Sequence, residues 1–127
     1  MEKINIKTYF ISGHLDITEE EFNEHYVPKI LLAISKGNCC FVVGDAKGTD
    51  RMAHLFLNKQ KANVTVYHMF NYPRNNCSFP TMGGFTTDNE RDAAMTAIST
   101  NDIAWVRSGR EKSGTAKNLR RRKNENK

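Results

Sequence analysis

The stretch Cys39-Cys40-Phe41-Val42-Val43-Gly44-Asp45-Ala46-Lys47-Gly48-Thr49-Asp50 decides the fold of this chain. An apolar run of strand character leads into a loop bracketed by Gly44 and Gly48, and residues 50–60 continue with helical character. A strand, a glycine-bracketed loop and a helix start form a βα turn, where free backbone N–H groups can meet an anion. The stretch therefore predicts a strand-to-helix unit with an anion-binding turn.

A second turn of the same kind lies near the C-terminus. The strand-like run Ile103–Val106 is followed by Ser113-Gly114-Thr115 at the start of another predicted helix. Free N–H groups, the helix dipole and two hydroxyls can converge there on a phosphate. The alternative is an ordinary serine N-cap. Two such turns together predict a nucleotide-like ligand.

The first half of the chain alternates strand and helix signals. Residues 4–11 predict a first strand, which ends at Ser12-Gly13-His14. Thr18 and Glu21 have the spacing of a capping box for the following helix. Pro28 should kink that helix or restart it at its own first turn.

The second half continues the alternation after a long interruption. Residues 64–70 predict a strand, whereas residues 71–87 show no periodicity and are expected to form a lid or a binding edge. Thr87 and Glu90 then predict a second capping box, with a helix that ends near Asn101. A further strand should begin at Asp102.

This order predicts an α/β fold, namely a single Rossmann-like three-layer domain with a mostly parallel sheet of about four to five strands. Its 127 residues are expected to form one domain over residues 1–127, because the chain is too short for a second core. In such sheets ligands bind beyond the carboxyl ends of the strands, where the strand order reverses. The strand exits near residues 12, 44 and 108 should therefore share one crevice.

The composition is that of an ordinary globular protein, with 39% hydrophobic and 26% charged residues. No apolar run is long enough to span a membrane, and the N-terminus lacks the apolar core of a secretory signal, so a cytoplasmic location and no membrane partner are expected. The three cysteines have neither disulfide nor metal-ligand spacing, and the histidines lack partner spacing. We expect no metal site and no cofactor.

The net charge of +5 is concentrated near the C-terminus. Residues 107–127 contain nine Lys or Arg and two Glu, which leaves a balance of −2 for residues 1–106. Residues 120–127 are expected to form a basic, frayed tail. The run Arg120–Lys123 could hold the phosphates of a nucleic acid, which keeps a nucleic-acid-binding accessory protein as one alternative.

With these turns placed, the chain resembles the SLOG superfamily of small Rossmann-like nucleotide-binding proteins, which includes LOG-type phosphoribohydrolases and the DprA-like and YspA-like proteins. Residues 44–50 resemble the family's Gly-Gly-Ala-Arg-Gly-Ala-Asp turn, with Asp45 in place of the second glycine and Lys47 in place of the arginine. Residues 89–95, 102–106 and 113–115 resemble its later helix, strand and Gly-Thr phosphate loop. Small members of this kind are similar to open reading frames of bacteriophages, which implies a phage source and a host cytoplasmic location.

The turns, the exit of the first strand and the resemblance together predict a set of site residues. The predicted ligand-binding residues are Ser12, Gly13, His14, Gly44, Asp45, Lys47, Gly48, Asp50, Arg91, Ser113, Gly114 and Thr115. The predicted catalytic candidates are Glu90, Arg91 and Asp45. The resemblance also implies a glutamate just after the Gly-Thr loop, but Ala116-Lys117-Asn118 stands there, so the family carboxylate is absent.

Two functions of different class follow from these expectations. The first is a binder of a nucleoside phosphate or an ADP-ribose-type signal, which would act as a phage-encoded sensor or sequestering protein. The second is an enzyme, an N-glycosidase or deoxyribosyltransferase acting on (deoxy)nucleotides, for which a carboxylate must lie near the sugar. A homo-oligomer, common among related small Rossmann-like proteins, is left open.

Overall fold

The computed structural model describes residues 6–76 and 78–125 of the chain. Its elements are β1 (Lys7–Ser12), α1 (Glu19–His25), α2 (Val27–Lys36), β2 (Cys39–Val43), α3 (Thr49–Lys59), β3 (Val64–Met69), β4 (Thr81–Phe85), α4 (Asp88–Ile98), β5 (Asn101–Ala104) and α5 (Gly114–Glu125). The predicted strand over residues 4–11 is confirmed from Lys7 onward, and residues 4 and 5 lie outside the described residues.

The five strands form one sheet in the order β4-β3-β2-β1-β5, and all neighbouring strands are parallel. The chain adds strands on one side of β1 as far as β4. Helix α4 then returns it to the other side of β1, where β5 pairs with Tyr9–Ser12. The α/β class and the parallel sheet are confirmed, and the strand order reverses between β1 and β5.

Helices cover both faces of the sheet, because successive strand residues point to opposite sides. Ile11 and Val43 pack with Phe22, Ile30 and Leu57 of helices α1, α2 and α3 in the larger core. On the opposite face Phe10, Val42 and Tyr67 pack against Met95 of α4 in a smaller core. This three-layer packing leaves the carboxyl ends of the strands for the loops that form the cavity.

Local signals at the first two helices act as predicted. The Thr18 side chain accepts the Glu21 amide, and the Glu21 side chain accepts the Thr18 amide in return, so the capping box is formed. Pro28 stands in the first turn of α2, where its missing N–H costs nothing, and it restarts the helix. Gly37 ends α2 with a φ of 74°.

The segment 71–87 is not a structureless lid, because it contains the edge strand β4. Gly83 is needed in β4, since a Cβ there would lie 2.2 Å from the ring of His68. The second capping box forms only in part: Thr87 accepts the Glu90 amide, but the Glu90 carboxylate turns back to the amide and hydroxyl of Thr86.

The segment expected to be a frayed tail is helical through Glu125, because α5 continues to that residue. Residues 126 and 127 lie outside the described part of the chain. Over the described ranges, no helix has both the length and the apolar character that a bilayer crossing requires. No group of three or more His, Cys, Asp or Glu side chains in those ranges is arranged to hold a metal ion.

Candidate functional site

The main cavity lies at the carboxyl edge of the sheet and has a volume of about 390 Å³. It is bounded by the loops that follow β1, β2 and β5 and by the first turns of α4 and α5. This is the place where the strand order reverses, which is where open α/β sheets bind ligands. The cavity therefore brings together the three strand exits that the sequence analysis placed in one crevice.

The β1 exit contributes Ser12, Gly13 and His14 to the cavity wall. Gly13 has no room for a side chain, because a Cβ would lie 2.3 Å from Thr49 Oγ1 and 2.4 Å from the Tyr26 hydroxyl. Ser12 is 6% exposed, and its Oγ has no hydrogen-bond partner among the described residues. A buried hydroxyl without a partner is costly to fold, so it is a candidate ligand contact.

Tyr26 fixes the two strands that flank the reversal of strand order. Its hydroxyl donates to the Ser12 carbonyl at 2.7 Å and accepts the Trp105 amide at 3.0 Å. Burial raises the pKa of Tyr26 to about 12, so the hydroxyl stays protonated and keeps both roles. The floor of the cavity between β1 and β5 is thus held by one buried side chain.

His14 joins the loops above that floor and is only 4% exposed. Its Nε2 accepts the Arg107 amide at 2.9 Å, which requires a neutral ring with the proton on Nδ1. Burial, followed by the charges of Arg107 and Arg110, lowers the pKa of His14 below its ordinary value. His14 is therefore a neutral residue that orders two loops, with a ring that also reaches the cavity wall.

The turn from β2 to α3 is occupied by groups of the protein itself. Gly48 has a φ of 73°, and a Cβ there would lie 2.4 Å from the Leu15 carbonyl oxygen. The Thr49 amide donates to the His14 carbonyl at 3.2 Å, and the Ala46 amide donates to Asp50 Oδ2 at 3.1 Å. The close approach that Gly48 permits is to the β1–α1 loop, not to the cavity.

Behind this turn Asp45 is held by two arginines. Asp45 is 1% exposed and accepts the amide, Nε and Nη2 of Arg74 and Nη1 of Arg91. Burial acts to raise the pKa of Asp45, but the bonds from Arg74 and the charges of Arg74 and Arg91 outweigh it, so the pKa lies below its usual value. Asp45 is an ionised structural anchor for the β3–β4 connection.

Arg91 lines the cavity, but every nitrogen of its guanidinium has a protein partner. Nε and Nη2 donate to Asp92 Oδ1 at 3.1 and 3.0 Å, and Nη1 donates to Asp45 Oδ1 at 2.9 Å. Asp88 lies 3.2 Å from Nη1. Arg91 thus neutralises the buried Asp45 and the half-buried Asp92, and each of its guanidinium nitrogens already donates to the protein.

Asp50 and Asp92 supply acceptor atoms at this end of the cavity. Burial raises the pKa of Asp50 to about 7, although the charge of Arg91 and the Ala46 amide act in the opposite direction. Gly44 makes the space, because a Cβ there would lie 2.6 Å from Asp50 Oδ2. Asp92 is held by Arg91 and, at Oδ2, by the Asn118 amide group at 3.1 Å.

The turn from β5 to α5 differs at the first amide of its helix, because the Gly114 amide is free within the described chain, whereas the Thr49 amide at the start of α3 donates to the His14 carbonyl. Ser113 is the N-cap: its Oγ accepts the Ala116 amide at 3.2 Å. The Gly114 and Thr115 amides have no hydrogen-bond partner among the described residues, and both residues line the cavity. The space around a Cβ at Gly114 is empty within 4 Å. This helix end presents unused donors to the cavity.

Arg110 and Asp16 meet above the α5 end of the cavity, and both line it. Arg110 Nη2 donates to Asp16 Oδ2 at 2.5 Å. Asp16 also accepts Nη1 of Arg107 at 3.2 Å, and the bond from Arg110 is the main cause of its lowered pKa. The pair joins the β1–α1 loop to the β5–α5 loop.

The structure brings most of the predicted ligand-binding residues to one cavity. Those that line it are Ser12, Gly13, His14, Gly44, Asp50, Arg91, Ser113, Gly114 and Thr115. Asp45 lies behind the wall, Gly48 packs on the β1–α1 loop, and Lys47 is exposed outside the lining. Of the catalytic candidates, Glu90 is bonded to Thr86 away from the cavity.

Sequence reasoning missed the lining residues Arg74, Arg110 and Asn118, whereas it gave the lining residues Asp16, Asp88 and Asp92 no role beyond that of possible replacements for the absent carboxylate. Their contacts join segments far apart in the chain, as in the Arg74–Asp45 and Asp92–Asn118 pairs. A weak signal existed for Asp16 and Arg110, because each follows a strand exit that was assigned to the crevice. No signal in the sequence pointed to Arg74.

The basic residues of α5 are largely used to dock that helix. Arg122 donates to the Ser99 carbonyl at 2.7 Å and to Asp102, and Arg121 donates to Asn118 and Asn89. Arg120 donates to the Glu111 carbonyl at 2.9 Å. These contacts explain the run of arginines by packing of α5 on α4 and β5.

Comparisons of the chain with models of protein families, with curated proteins and with solved structures find no significant match.

Proposed function

We propose that the cavity binds a nucleotide or a nucleotide-derived ligand, a nucleoside phosphate or an ADP-ribose-type molecule. The observation that carries this proposal is the pair of unpartnered amides of Gly114 and Thr115 at the start of α5, in a cavity that Ser12, with its unpartnered hydroxyl, also lines. A helix start attracts anions through its free donors and its dipole. A phosphate at this helix start would accept hydrogen bonds from both amides.

Carboxyl groups in the cavity lining complement the rest of a nucleotide. Asp50 and Asp92 supply carboxyl oxygens, which accept hydrogen bonds from sugar hydroxyls and from the amino groups of a base. Arg91 donates to Asp92, and its positive charge acts to lower the pKa of Asp50 against the effect of burial. A ligand that carries both an anion and hydrogen-bond donors fits this lining.

The size of the cavity agrees with a small ligand. A volume of about 390 Å³ lies in the lower part of the range for small-molecule sites, which runs from about 300 to about 1,000 Å³. The resemblance to SLOG proteins supports the same class of ligand. Binding without turnover would make the protein a sensor or a sequestering protein.

The test is a panel of nucleoside 5′-monophosphates, ADP-ribose and cyclic ADP-ribose isomers, each incubated with stoichiometric protein and separated by chromatography before and after heat denaturation. We expect one ligand to be depleted and then returned intact. Thr115→Pro removes one free amide at the second helical position, and Lys47→Gln is the matched control outside the cavity. Retention of full affinity in Thr115→Pro, or no depletion of any ligand, would contradict the proposal.

A second candidate function, hydrolysis of an N-glycosidic bond, is favoured by Asp50. A buried carboxyl with a pKa of about 7 is protonated in part at neutral pH and can act as a general acid. In this reaction the bond from C1′ to the base nitrogen breaks, Asp50 protonates the leaving base, and water adds its hydroxyl at C1′ and returns its proton to the Asp50 carboxylate. Asp92 would stabilise positive charge on the sugar.

This candidate moves the catalytic role away from the residues that the sequence analysis named. Glu90 lies outside the cavity, and Asp45 and Arg91 are bonded to one another. Release of free base in the chromatographic assay would support hydrolysis, and Asp50→Asn should then abolish release while ligand depletion persists. Unchanged base release by Asp50→Asn would exclude Asp50 as the acid.

A further inference from the structure

Three arginines line the cavity, and they differ in how much of each guanidinium is in use. Arg91 donates from all three nitrogens, and Arg74 donates from Nε and Nη2 to Asp45. Arg110 makes one side-chain bond, from Nη2 to Asp16, and its Nε and Nη1 have no partner among the described residues. Arg110 therefore has the largest unused donor capacity of the three, with two guanidinium nitrogens unpartnered within the described chain against one in Arg74.

Arg110 also stands in the right part of the chain for this role. Its carbonyl accepts the Ser113 amide at 3.0 Å in the turn that leads into α5, and Arg110 lines the same cavity as Gly114 and Thr115. The Arg110 side chain is 44% exposed and can change its rotamer without disturbing the core. Helix donors and a movable guanidinium thus flank the same space.

Asp16, the partner of Arg110, can also lose this bond without becoming unpaired. Asp16 is 55% exposed, and it retains Arg107 Nη1 at 3.2 Å if Arg110 leaves. Arg107 in turn is fixed by Glu21, with Nη2 to Oε1 at 2.6 Å. A move of Arg110 from Asp16 to a ligand would leave no carboxylate without a cation.

We propose that Arg110 pairs with the phosphate of the ligand and that Asp16 occupies Arg110 until the phosphate displaces it. The Asp16 carboxylate competes with the ligand for Arg110 at the mouth of the site. This competition selects ligands with more negative charge than a single carboxylate. This inference rests on the proposed function, because it assigns the anion of that ligand to one side chain. The unpartnered Ser12 hydroxyl, 94% buried in the same cavity wall, is an independent indication that a polar ligand belongs there.

The two halves of this ion pair should have opposite effects on phosphate affinity. The probe is inorganic phosphate, titrated at constant ionic strength and followed by the ³¹P chemical shift. Asp16→Asn should bind phosphate about two- to five-fold more tightly, as expected for release of an exposed ion pair. Arg110→Gln should bind it about ten-fold more weakly because a charge-assisted contact is lost.

Two further variants separate the pairing from general effects of charge and folding. Glu21→Gln removes a carboxylate of the same network that touches Arg107 but not Arg110, so it should leave phosphate affinity unchanged. Arg110→Lys keeps the charge and should recover part of the affinity that Arg110→Gln loses.

The inference is overturned if wild type shows no saturable phosphate binding, if both halves of the pair shift affinity in the same direction, or if Glu21→Gln tightens binding as much as Asp16→Asn. These results are distinct from failure of the proposed function. Nucleotide depletion with equal phosphate affinity in Asp16→Asn and Arg110→Gln would retain the proposed function and reject this inference. Opposite shifts of phosphate affinity in these two variants, without depletion of any nucleotide, would retain this inference and reject the proposed function.

Discussion

The β2–α3 and β5–α5 turns are alike in sequence and opposite in use. Each leads from a strand to a helix start at the same edge of the sheet. At α3 the Thr49 amide is taken by the His14 carbonyl, and Asp50 places a carboxyl in the first helical turn. At α5 the first turn contains no acidic residue, and the Gly114 and Thr115 amides are unpartnered within the described chain.

This difference shows that a glycine-bearing βα turn is not by itself an anion site. The first turn of α3 carries the Asp50 carboxyl, whereas the first turn of α5 carries no acidic side chain that could meet its positive end. We call the β2–α3 turn, whose first helical amide is bonded, the closed turn and the β5–α5 turn the open turn. Variants that remove a charge or the glycine of the closed turn test this difference, and variants of the open turn serve as the reference.

Removal of Arg91 should have the largest effect on folding. Arg91→Met removes the cation of the half-buried Asp92 and one of the two arginines that hold the buried Asp45, and breaking a buried ion pair typically costs about 3–5 kcal/mol. Arg110→Gln, at the open turn, should change the free energy of unfolding by less than about 1 kcal/mol. Urea unfolding at pH 7 measures both values. Similar losses in the two variants would remove the distinction between a structural and a free arginine.

A further difference in stability is expected between substitutions of the glycines at the starts of these two helices. Gly48→Ala places a Cβ against the Leu15 carbonyl at a φ of 73°, and we expect a loss of about 2–4 kcal/mol in unfolding free energy. Gly114→Ala meets empty space and should leave stability within about 0.5 kcal/mol of wild type or slightly above it. Urea unfolding again provides the comparison. A tolerant Gly48 would show that the closed turn is loosely packed.

Asp50 should give the closed turn a pH-dependent signature. The folded-state pKa of Asp50 is raised to about 7, so its stabilising effect is full below the pKa of the unfolded chain and is lost as pH rises through about 7. Asp50→Asn imitates the protonated carboxyl and does not ionise. Its stability relative to wild type should therefore rise by about 4 kcal/mol between pH 4 and pH 8.

The difference between variant and wild type is the quantity to plot, because it cancels carboxylates such as Asp45, whose lowered pKa acts in the opposite direction. Thermal or urea unfolding at several pH values supplies it. A difference that is flat across this range would mean that Asp50 ionises normally in the folded protein.

The parts of the fold that rest on local signals could be predicted from the sequence. Thr18 and Glu21 form their capping box, Pro28 restarts a helix, and Cys39–Val43 is a strand. Strand β4 was missed because Thr81–Phe85 contains two glycines and lacks β-branched residues after Thr81. Its Gly83 is explained only by the ring of His68, which a local pattern cannot reveal.

The location of the candidate site could be predicted from the sequence, but which of its side chains are bonded within the protein could not. The strand exits pointed to one crevice, and Ser12, Asp50 and Thr115 do line one cavity. Every guanidinium nitrogen of Arg91 has a protein partner, whereas only one in Arg110 has a partner among the described residues. This difference depends on carboxylates that are distant in sequence, such as Asp45, which lies 46 positions from Arg91. Pairing across the fold decides which of several similar side chains remains available.

The most direct test of the open α5 turn is a ¹H–¹⁵N NMR titration of the wild-type chain with the ligand that the chromatographic panel identifies. The Gly114 and Thr115 amides should show the largest saturable shifts, and the Ala46 and Thr49 amides should stay near their starting positions because the protein already occupies them. Large shifts at Ala46 and Thr49 with unmoved Gly114 and Thr115 would contradict the account.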